Sequence, residues 1–293
     1  MMRTLGTPLS AIMPLSQATY VSGFILNNIL FIAVLILFYK VTQKIFNNQR
    51  LSLISTGFFA FWPGSLFFSN VYSESLFMVF TLGAFYFLEK GSPAKATAFG
   101  FLAALTRSSG FLLFIPFIYN GLQTKKYKTA ILQSFFIALP YLLFSVYGYF
   151  LTGLFPVREI VYSQLWGPAK TSPLPDATSI VGYASLYIAE GVLVALPFVW
   201  FAAKDKISIG SFVKGLNPRK DLKYWAFSIF LVVMLIYSDP KNIHRYVLPM
   251  LPLYWSFAAI YLKNNRQGKV LFAISTAILI VGTVLFALGY WFL

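Results

Sequence analysis

The chain has 293 residues, of which 58% are hydrophobic and only 11% are charged. Soluble domains are about 45–50% apolar and about 25% charged, so this composition predicts an integral membrane protein in contact with a lipid bilayer. The absence of cysteine excludes disulfides and thiol chemistry, and a single histidine argues against a His-rich metal site. We therefore expect no bound metal and no cofactor.

The net charge of +15 comes from basic residues in short loops between apolar runs. Nucleic-acid-binding proteins instead collect their basic residues on one face, so we expect no nucleic-acid partner. The pattern is typical of the positive-inside bias of membrane proteins.

A membrane-spanning helix needs about 20 apolar residues. In chain order, the apolar runs that we interpret as spans are 18–39, 51–69, 74–89, 129–152, 179–203, 224–238, 246–262 and 270–293. A further segment, 95–120, is apolar except for a polar stretch around Arg107. The predicted fold is all-α, a polytopic transmembrane helical bundle of about nine or ten membrane segments in a single domain over residues 1–293.

The basic residues decide how the segment 95–120 meets the membrane. A single helix would leave nine basic residues inside and twelve outside. Two half-helices, 95–106 and 109–120, would place seventeen inside and leave five on the other side, which are Arg107, Arg158, Lys170, Lys241 and Arg245. The positive-inside rule favours the half-helices. Each covers only ~18 Å, so we predict a cavity that opens on the non-cytoplasmic side, with Arg107 at its floor.

The first cluster of candidate functional residues is Tyr72, Ser73 and Glu74, which follow a span that ends near Pro63. One interpretation is structural, because Ser73 can cap the next helix and Glu74 then lies near the positive end of its dipole. The other is functional, with Tyr72 and Glu74 pointing into the cavity to hold a sugar hydroxyl.

The second cluster surrounds Arg107, whose charge is costly at membrane depth unless it is paired or hydrated. We expect the second half-helix to begin at Ser108 or Ser109, so that its free N–H groups face the same cavity as the guanidinium. Such a site suits a lipid-linked phosphate or pyrophosphate. The alternative is a structural ion pair, for which Glu190 is a candidate partner.

The third cluster lies on the predicted external side and contains His244, Arg245 and Tyr246. A binding role is one interpretation. The other is that the histidine is structural and the arginine extends to the membrane interface.

Two of these clusters resemble motifs of one family. Residues 67–77 resemble the "YSES" signature of the GPI mannosyltransferase II family (phosphatidylinositol-glycan class V), and residues 103–110 resemble its "ATRSNG" motif, with Ser109 in place of the usual Asn. Residues 245–252 resemble a weaker R-Y-x-L-P-x-x-P stretch. The resemblance covers roughly residues 18–262 and implies a helical bundle like those of the GT-C glycosyltransferases.

The resemblance implies an inverting mannosyltransferase with a polyprenyl- or dolichyl-phosphate-mannose donor and a glycolipid acceptor of the GPI type. It would act on the luminal or exterior face, in the endoplasmic reticulum membrane of a eukaryote or the cell membrane of an archaeon or bacterium. Glu74 is the implied catalytic carboxylate. The implied substrate-binding residues are Tyr72, Ser73, Arg107, Ser108, His244, Arg245 and Tyr246.

The chain departs from the family at its beginning, where an upstream span and an acidic Trp-Asp loop are expected and residues 1–20 contain no acid. We therefore expect a chain that is N-terminally truncated relative to the family, with Glu74 as the nearby substitute for the usual base. An alternative is a non-catalytic, lipid-phosphate-binding subunit or fragment that works with a partner membrane subunit. A transporter is a third hypothesis, which the absence of inverted repeats disfavours.

Overall fold

The computed structural model describes residues 7–153, 222–231 and 247–288. These residues form helices and contain no strand, which confirms the all-α prediction. The helices are α1 Leu15–Phe46, α2 Gln49–Ala60, α3 Leu66–Ser69, α4 Glu74–Glu89, α5 Pro93–Thr106, α6 Phe114–Thr124, α7 Tyr127–Thr152, α8 Leu222–Leu231, α9 Leu251–Lys263 and α10 Asn265–Ala287. Short 3₁₀ helices occupy Pro8–Ala11, Pro63–Ser65 and Ser108–Leu113.

Three of the described helices, α1, α7 and α10, are long and apolar enough to cross a membrane. Their outer surfaces carry large apolar side chains: Phe150 on α7 is 79% exposed and Ile29 on α1 is 60% exposed. Such surfaces are stable against lipid rather than water. The protein is therefore a multi-pass membrane protein. The predicted total of nine or ten segments and the single domain stay predictions, since the span 179–203 lies outside the described residues.

The predicted span 51–69 is not one straight helix. Its two parts, Gln49–Ala60 and Pro63–Ser69, are bent by 67° relative to each other. Pro63 cannot donate a backbone hydrogen bond, so the α-helix ends before it. The Ser65 hydroxyl lies 2.7 Å from the carbonyl oxygen of Ala60 and 2.6 Å from that of Trp62, so its one hydrogen can replace a lost backbone donor.

An aromatic core joins helices that are far apart in sequence. Phe38 on α1 stacks on Phe59 of α2 at 4.6 Å between ring centroids, and Tyr254 of α9 packs edge-on against Phe59 at 5.0 Å. The indole N–H of Trp255 donates to the Thr42 hydroxyl over 3.0 Å. These contacts fix α9 against α1, so the first described membrane helix is a scaffold for the others.

The outer ends of the segment that contains Arg107 both pack near the beginning of α7. The amide of Gln133 on α7 donates to the carbonyl oxygen of Pro93, the first residue of α5, over 3.0 Å. Near the end of α6, Gly121 lies so close to Ala130 of α7 that a Cβ there would be 2.1 Å from the alanine Cβ. The segment therefore returns to the side from which it starts.

The middle of the same segment packs farther along α7, where Phe111 stacks on Tyr141 at 5.1 Å between centroids. Between its two halves, Arg107 has extended backbone angles, φ −145° and ψ 143°. The predicted break at Arg107 is thus confirmed, and the first half-helix begins at Pro93, two residues before the predicted start. The second half begins at Ser108, as predicted, but as a 3₁₀ helix that continues as an α-helix only from Phe114.

Candidate functional site

The structure joins the first and second sequence clusters through one ion pair. Arg107 Nη1 lies 2.5 Å from Glu74 Oε1 and 3.5 Å from the Ser73 hydroxyl. The guanidinium carbon also lies 6.0 Å from the centre of the Phe77 ring, within the range of a cation–π contact. The Arg107 side chain is 18% exposed, whereas that of Glu74 is 3% exposed. A ligand that approaches from outside therefore meets the guanidinium before the carboxylate.

Glu74 owes its position to the start of α4. The loop after α3 ends at Ser73, whose carbonyl accepts the hydrogen bond of the Phe77 N–H over 2.9 Å and so begins the helix. A carboxylate in the first helical turn is favoured by the helix dipole. The Ser75 hydroxyl donates to the Phe68 carbonyl over 2.7 Å, which ties the helix start back to α3.

The structural interpretation, in which the Ser73 side chain caps α4, does not hold, since this hydroxyl makes no capping hydrogen bond to the helix. It lies instead beside the Arg107 guanidinium, from which it can accept a hydrogen bond. The ion pair explains the difference, because a charged donor competes for the oxygen more strongly than a backbone N–H does.

Arg107 is held at the break by its neighbours on both sides. Its N–H donates to the Ala103 carbonyl over 3.0 Å and completes α5, while its own carbonyl accepts from Gly110 over 2.9 Å. A Cβ on Gly110 would lie 2.5 Å from the backbone of Ala103, so only glycine permits this approach. The tight contact explains why Ser108–Leu113 forms a 3₁₀ helix where we expected the first turn of an α-helix.

The remaining predicted site residues differ in where the structure places them. Tyr72 is half-buried with its ring against Phe67 at 5.5 Å between centroids, and it directly precedes Ser73. Ser108 is half-buried and directly follows Arg107. His244, Arg245 and Tyr246 lie outside the described residues, as does Glu190. Glu74 is the carboxylate partner that the structure gives to Arg107.

The sequence analysis did not identify Asn27 as part of this site. Asn27 lies on α1, is 1% exposed, and donates from its amide nitrogen to the carbonyl oxygens of Asn70 and Tyr72. These carbonyls belong to the loop that leads to Glu74. The signal in the sequence was an amide in the middle of an apolar run, which is costly there unless it is hydrogen-bonded.

A second ion pair lies at the other end of α4. Glu89 pairs with Lys223 of α8 and accepts a hydrogen bond of 2.7 Å from the Tyr224 hydroxyl. This pair is largely buried, since the Glu89 side chain is 15% exposed and that of Lys223 is 7% exposed. The cause is the packing of α8, whose Tyr224 ring lies edge-on against Phe85 at 4.9 Å.

Among the residues that the structure describes, no three side chains of His, Cys, Asp or Glu come close enough to hold a metal ion together. The chemistry of the described site therefore lies in one arginine, one carboxylate and neighbouring hydroxyls.

These features define a multi-pass helical membrane protein with a partly buried arginine–carboxylate pair at the break of a membrane-embedded segment. The Mannosyltransferase (PIG-V) family matches residues 1–159, which is more than half of the chain. The chain belongs to this family.

Two relatives are similar over shorter stretches. GPI mannosyltransferase 2 of Schizosaccharomyces pombe is 32% identical over 130 residues, or 44% of this chain. GPI mannosyltransferase pigv-1 of Caenorhabditis elegans is 36% identical over 84 residues, or 29% of this chain. The chain spans only 27% and 12%, respectively, of the lengths of these relatives. No solved structure matches the chain.

Proposed function

We propose that the protein is a membrane mannosyltransferase that moves mannose from a polyprenyl- or dolichyl-phosphate-mannose donor to a glycolipid acceptor of the GPI type. Its family and the names of its relatives support the reaction class. The observation that carries the proposal is the contact between Arg107 and Glu74, which joins the two family-like motifs in one site.

The reaction that we propose is a single displacement at the anomeric carbon of mannose. A bond forms between the acceptor hydroxyl oxygen and this carbon, while the bond from the carbon to the phosphate oxygen breaks. The hydroxyl proton passes to a carboxylate base, and the lipid phosphate departs with the electron pair of the broken bond. The site must therefore supply a base and a cation near the departing phosphate.

Arg107 is the proposed partner of the phosphate. A guanidinium has five N–H donors and suits phosphate oxygens, and the 18% exposure of this side chain gives a ligand access to it. The hydroxyls of Ser73 and Ser108 are the proposed additional donors beside it. His244, Arg245 and Tyr246 complete the proposed substrate-binding set, together with Tyr72.

Glu74 is the proposed catalytic carboxylate. Its contact with Arg107 also links donor binding to the state of the carboxylate, because an incoming phosphate competes with the carboxylate for the same Nη1 donor. Donor binding would then weaken the ion pair at the moment when a base is required. We propose that the site faces the lumen of the endoplasmic reticulum in a eukaryote, or the cell exterior in an archaeon or bacterium.

The test is a transfer assay on membranes that contain the protein, with radiolabelled polyprenyl-phosphate-mannose and a glycolipid acceptor. We expect Arg107→Ala to lower the transfer rate by roughly 100-fold, the usual loss for one preorganised charged donor. Arg50→Ala is the matched control, because Arg50 is exposed at the start of α2, and it should leave the rate within about twofold.

Unchanged transfer in Arg107→Ala would contradict the phosphate role. Binding of the labelled donor by the wild-type protein without any transfer would instead support the non-catalytic, phosphate-binding alternative.

A further inference from the structure

We infer that Asn27 is a positioning residue for the Arg107–Glu74 site, an inference that rests on the proposed function. Asn27 lies on α1, a different helix from either member of the ion pair. Its side chain is buried, and its amide nitrogen donates to two backbone carbonyl oxygens of one loop, those of Asn70 and, over 3.0 Å, Tyr72.

The Asn70 carbonyl of the loop between α3 and α4 also accepts from the Tyr72 N–H over 2.8 Å, so the Tyr72 carbonyl is the one that depends on Asn27. The backbone of this loop does not continue either helix, and a carbonyl oxygen inside a membrane protein must find a partner within the protein. Asn27 supplies both N–H groups of one amide to carbonyls that are two residues apart. The Tyr72 carbonyl lies two residues before Glu74, so the amide fixes the chain just before the carboxylate.

This contact determines where Glu74 points. The Glu74 carboxylate is the first side chain of α4, and its orientation depends on how the preceding loop enters the helix. If the Tyr72 carbonyl loses its donor, the loop gains alternative conformations and the carboxylate no longer lies consistently beside Arg107. A displacement of about 1 Å in a reacting group can lower a catalytic rate by up to ~100-fold.

The adjacent residue Asn28 provides a matched control. Its amide donates over 2.8 Å to the Phe24 carbonyl of its own helix, and only over 3.3 Å to the Ser69 carbonyl. Asn28 therefore has the same chemistry and nearly the same depth in the membrane as Asn27. It does not contact the two carbonyls that precede Glu74.

The first experiment requires no enzymatic activity. Because the chain contains no cysteine, Ser73→Cys introduces a single thiol directly before Glu74. We expect Asn27→Leu to raise the rate of maleimide labelling at this thiol by about threefold or more, because the loop opens more often. Asn28→Leu should change the rate by less than about 1.5-fold.

If Asn27→Leu does not accumulate in the membrane, Asn27→Ser is used instead, because serine retains a smaller polar group. The same increase in labelling rate, about threefold or more, is then expected. Equal labelling rates in the Asn27 and Asn28 variants would overturn the inference.

The second experiment measures transfer and separates kcat from KM. We expect Asn27→Leu to lower kcat by about tenfold with little change in KM, and Asn28→Leu to stay within about twofold. In an Arg107→Lys background the further loss from Asn27→Leu should be smaller than tenfold, because both changes act on the same ion pair. If Asn27 had a purely structural role, the losses in kcat from Asn27→Leu and Arg107→Lys would be independent and would multiply. Observing such multiplicative losses would contradict the positioning role.

The two proposals can fail separately. If Arg107→Ala keeps full transfer, the proposed phosphate site is wrong, while the labelling result still decides whether Asn27 holds the loop. If Arg107→Ala loses transfer and Asn27→Leu behaves like Asn28→Leu in both experiments, the proposed function survives and the positioning role is wrong.

Discussion

The two ends of α4 present the same chemistry in two different settings. Glu74 is its first residue and Glu89 its last, and each carboxylate pairs with a cation from another part of the chain. At the first end the cation is Arg107, 18% exposed, beside a hydroxyl. At the other end it is Lys223, 7% exposed, and the Tyr224 hydroxyl already occupies the same carboxylate oxygen.

The helix dipole separates the roles of the two pairs. A carboxylate in the first turn is favoured by the dipole, whereas one in the last turn is disfavoured. Glu89 therefore needs Lys223 and Tyr224 for its own stability. Glu74 has the favourable dipole, and its pair also holds a costly guanidinium inside the membrane region. We interpret the Glu89 pair as a closed structural contact and the Glu74 pair as a contact that a ligand can reach.

The first prediction tests whether the broken segment after α4 returns to the side of the membrane from which it starts, and its outcome is all or none. In sealed vesicles, an impermeant maleimide should label Lys95→Cys and Lys126→Cys from the same side. Both positions are exposed, one at each outer end of the broken segment. Ser10→Cys, which is exposed before α1, should be labelled from the opposite side. Labelling of Lys95→Cys and Lys126→Cys from opposite sides would show that the segment crosses the membrane.

The second prediction compares the two carboxylates directly by the same conservative change. Glu74→Gln should lower mannose transfer by roughly 100-fold, because it removes both the proposed base and the counter-charge of Arg107. Glu89→Gln should leave the transfer rate within about twofold, when rates are normalised to folded protein. Similar losses in both variants would mean that the Glu74 end has no special role in the reaction.

The third prediction concerns stability at the closed end. Glu89→Gln should lower the free energy of unfolding by about 3 kcal/mol, because it leaves the buried Lys223 ammonium without its counter-charge. The double variant Glu89→Gln with Lys223→Met should regain at least half of this loss, since no buried charge remains. Thermal unfolding in detergent measures both variants. A double variant less stable than Glu89→Gln would show that Lys223 stabilises the protein through its packing instead.

The fourth and smallest effect is expected at the break beside Arg107. Gly110→Ala should cost about 2 kcal/mol, because its Cβ would lie 2.5 Å from the Ala103 backbone and force the two halves apart. Gly57→Ala is the control: its Cβ would meet Phe272 at an ordinary 3.6 Å, so stability should change by less than about 1 kcal/mol. Equal melting temperatures for these variants would contradict the close approach at Gly110.

Much of this fold could be predicted from the sequence, because charges are costly in a membrane. The position of Arg107 within an apolar run, together with the distribution of basic residues, was enough to predict a break there. The boundaries of α4 were also predicted correctly, since an acid stands at each end of an uninterrupted apolar run.

The remaining features depend on contacts between segments that are far apart in the chain, and sequence patterns do not predict which segments pack together. The choice of Glu74 as the partner of Arg107 depends on how α4 packs against the broken segment. The burial of Glu89 depends on Tyr224, which is 135 residues away. The 3₁₀ helix after Arg107 depends on the approach of Gly110 to another helix, and propensity alone favoured an α-helix. Asn27 had many potential acceptors, and only the folded loop selects two of them.

The order of the ion pair along the chain also bears on biosynthesis. A membrane protein is synthesised from its N-terminus, so the helix that carries Glu74 leaves the ribosome before the segment that carries Arg107. The guanidinium thus reaches the bilayer when its carboxylate partner has already been made. Asn27 precedes both residues, so the loop donor, the carboxylate and the guanidinium leave the ribosome in that order.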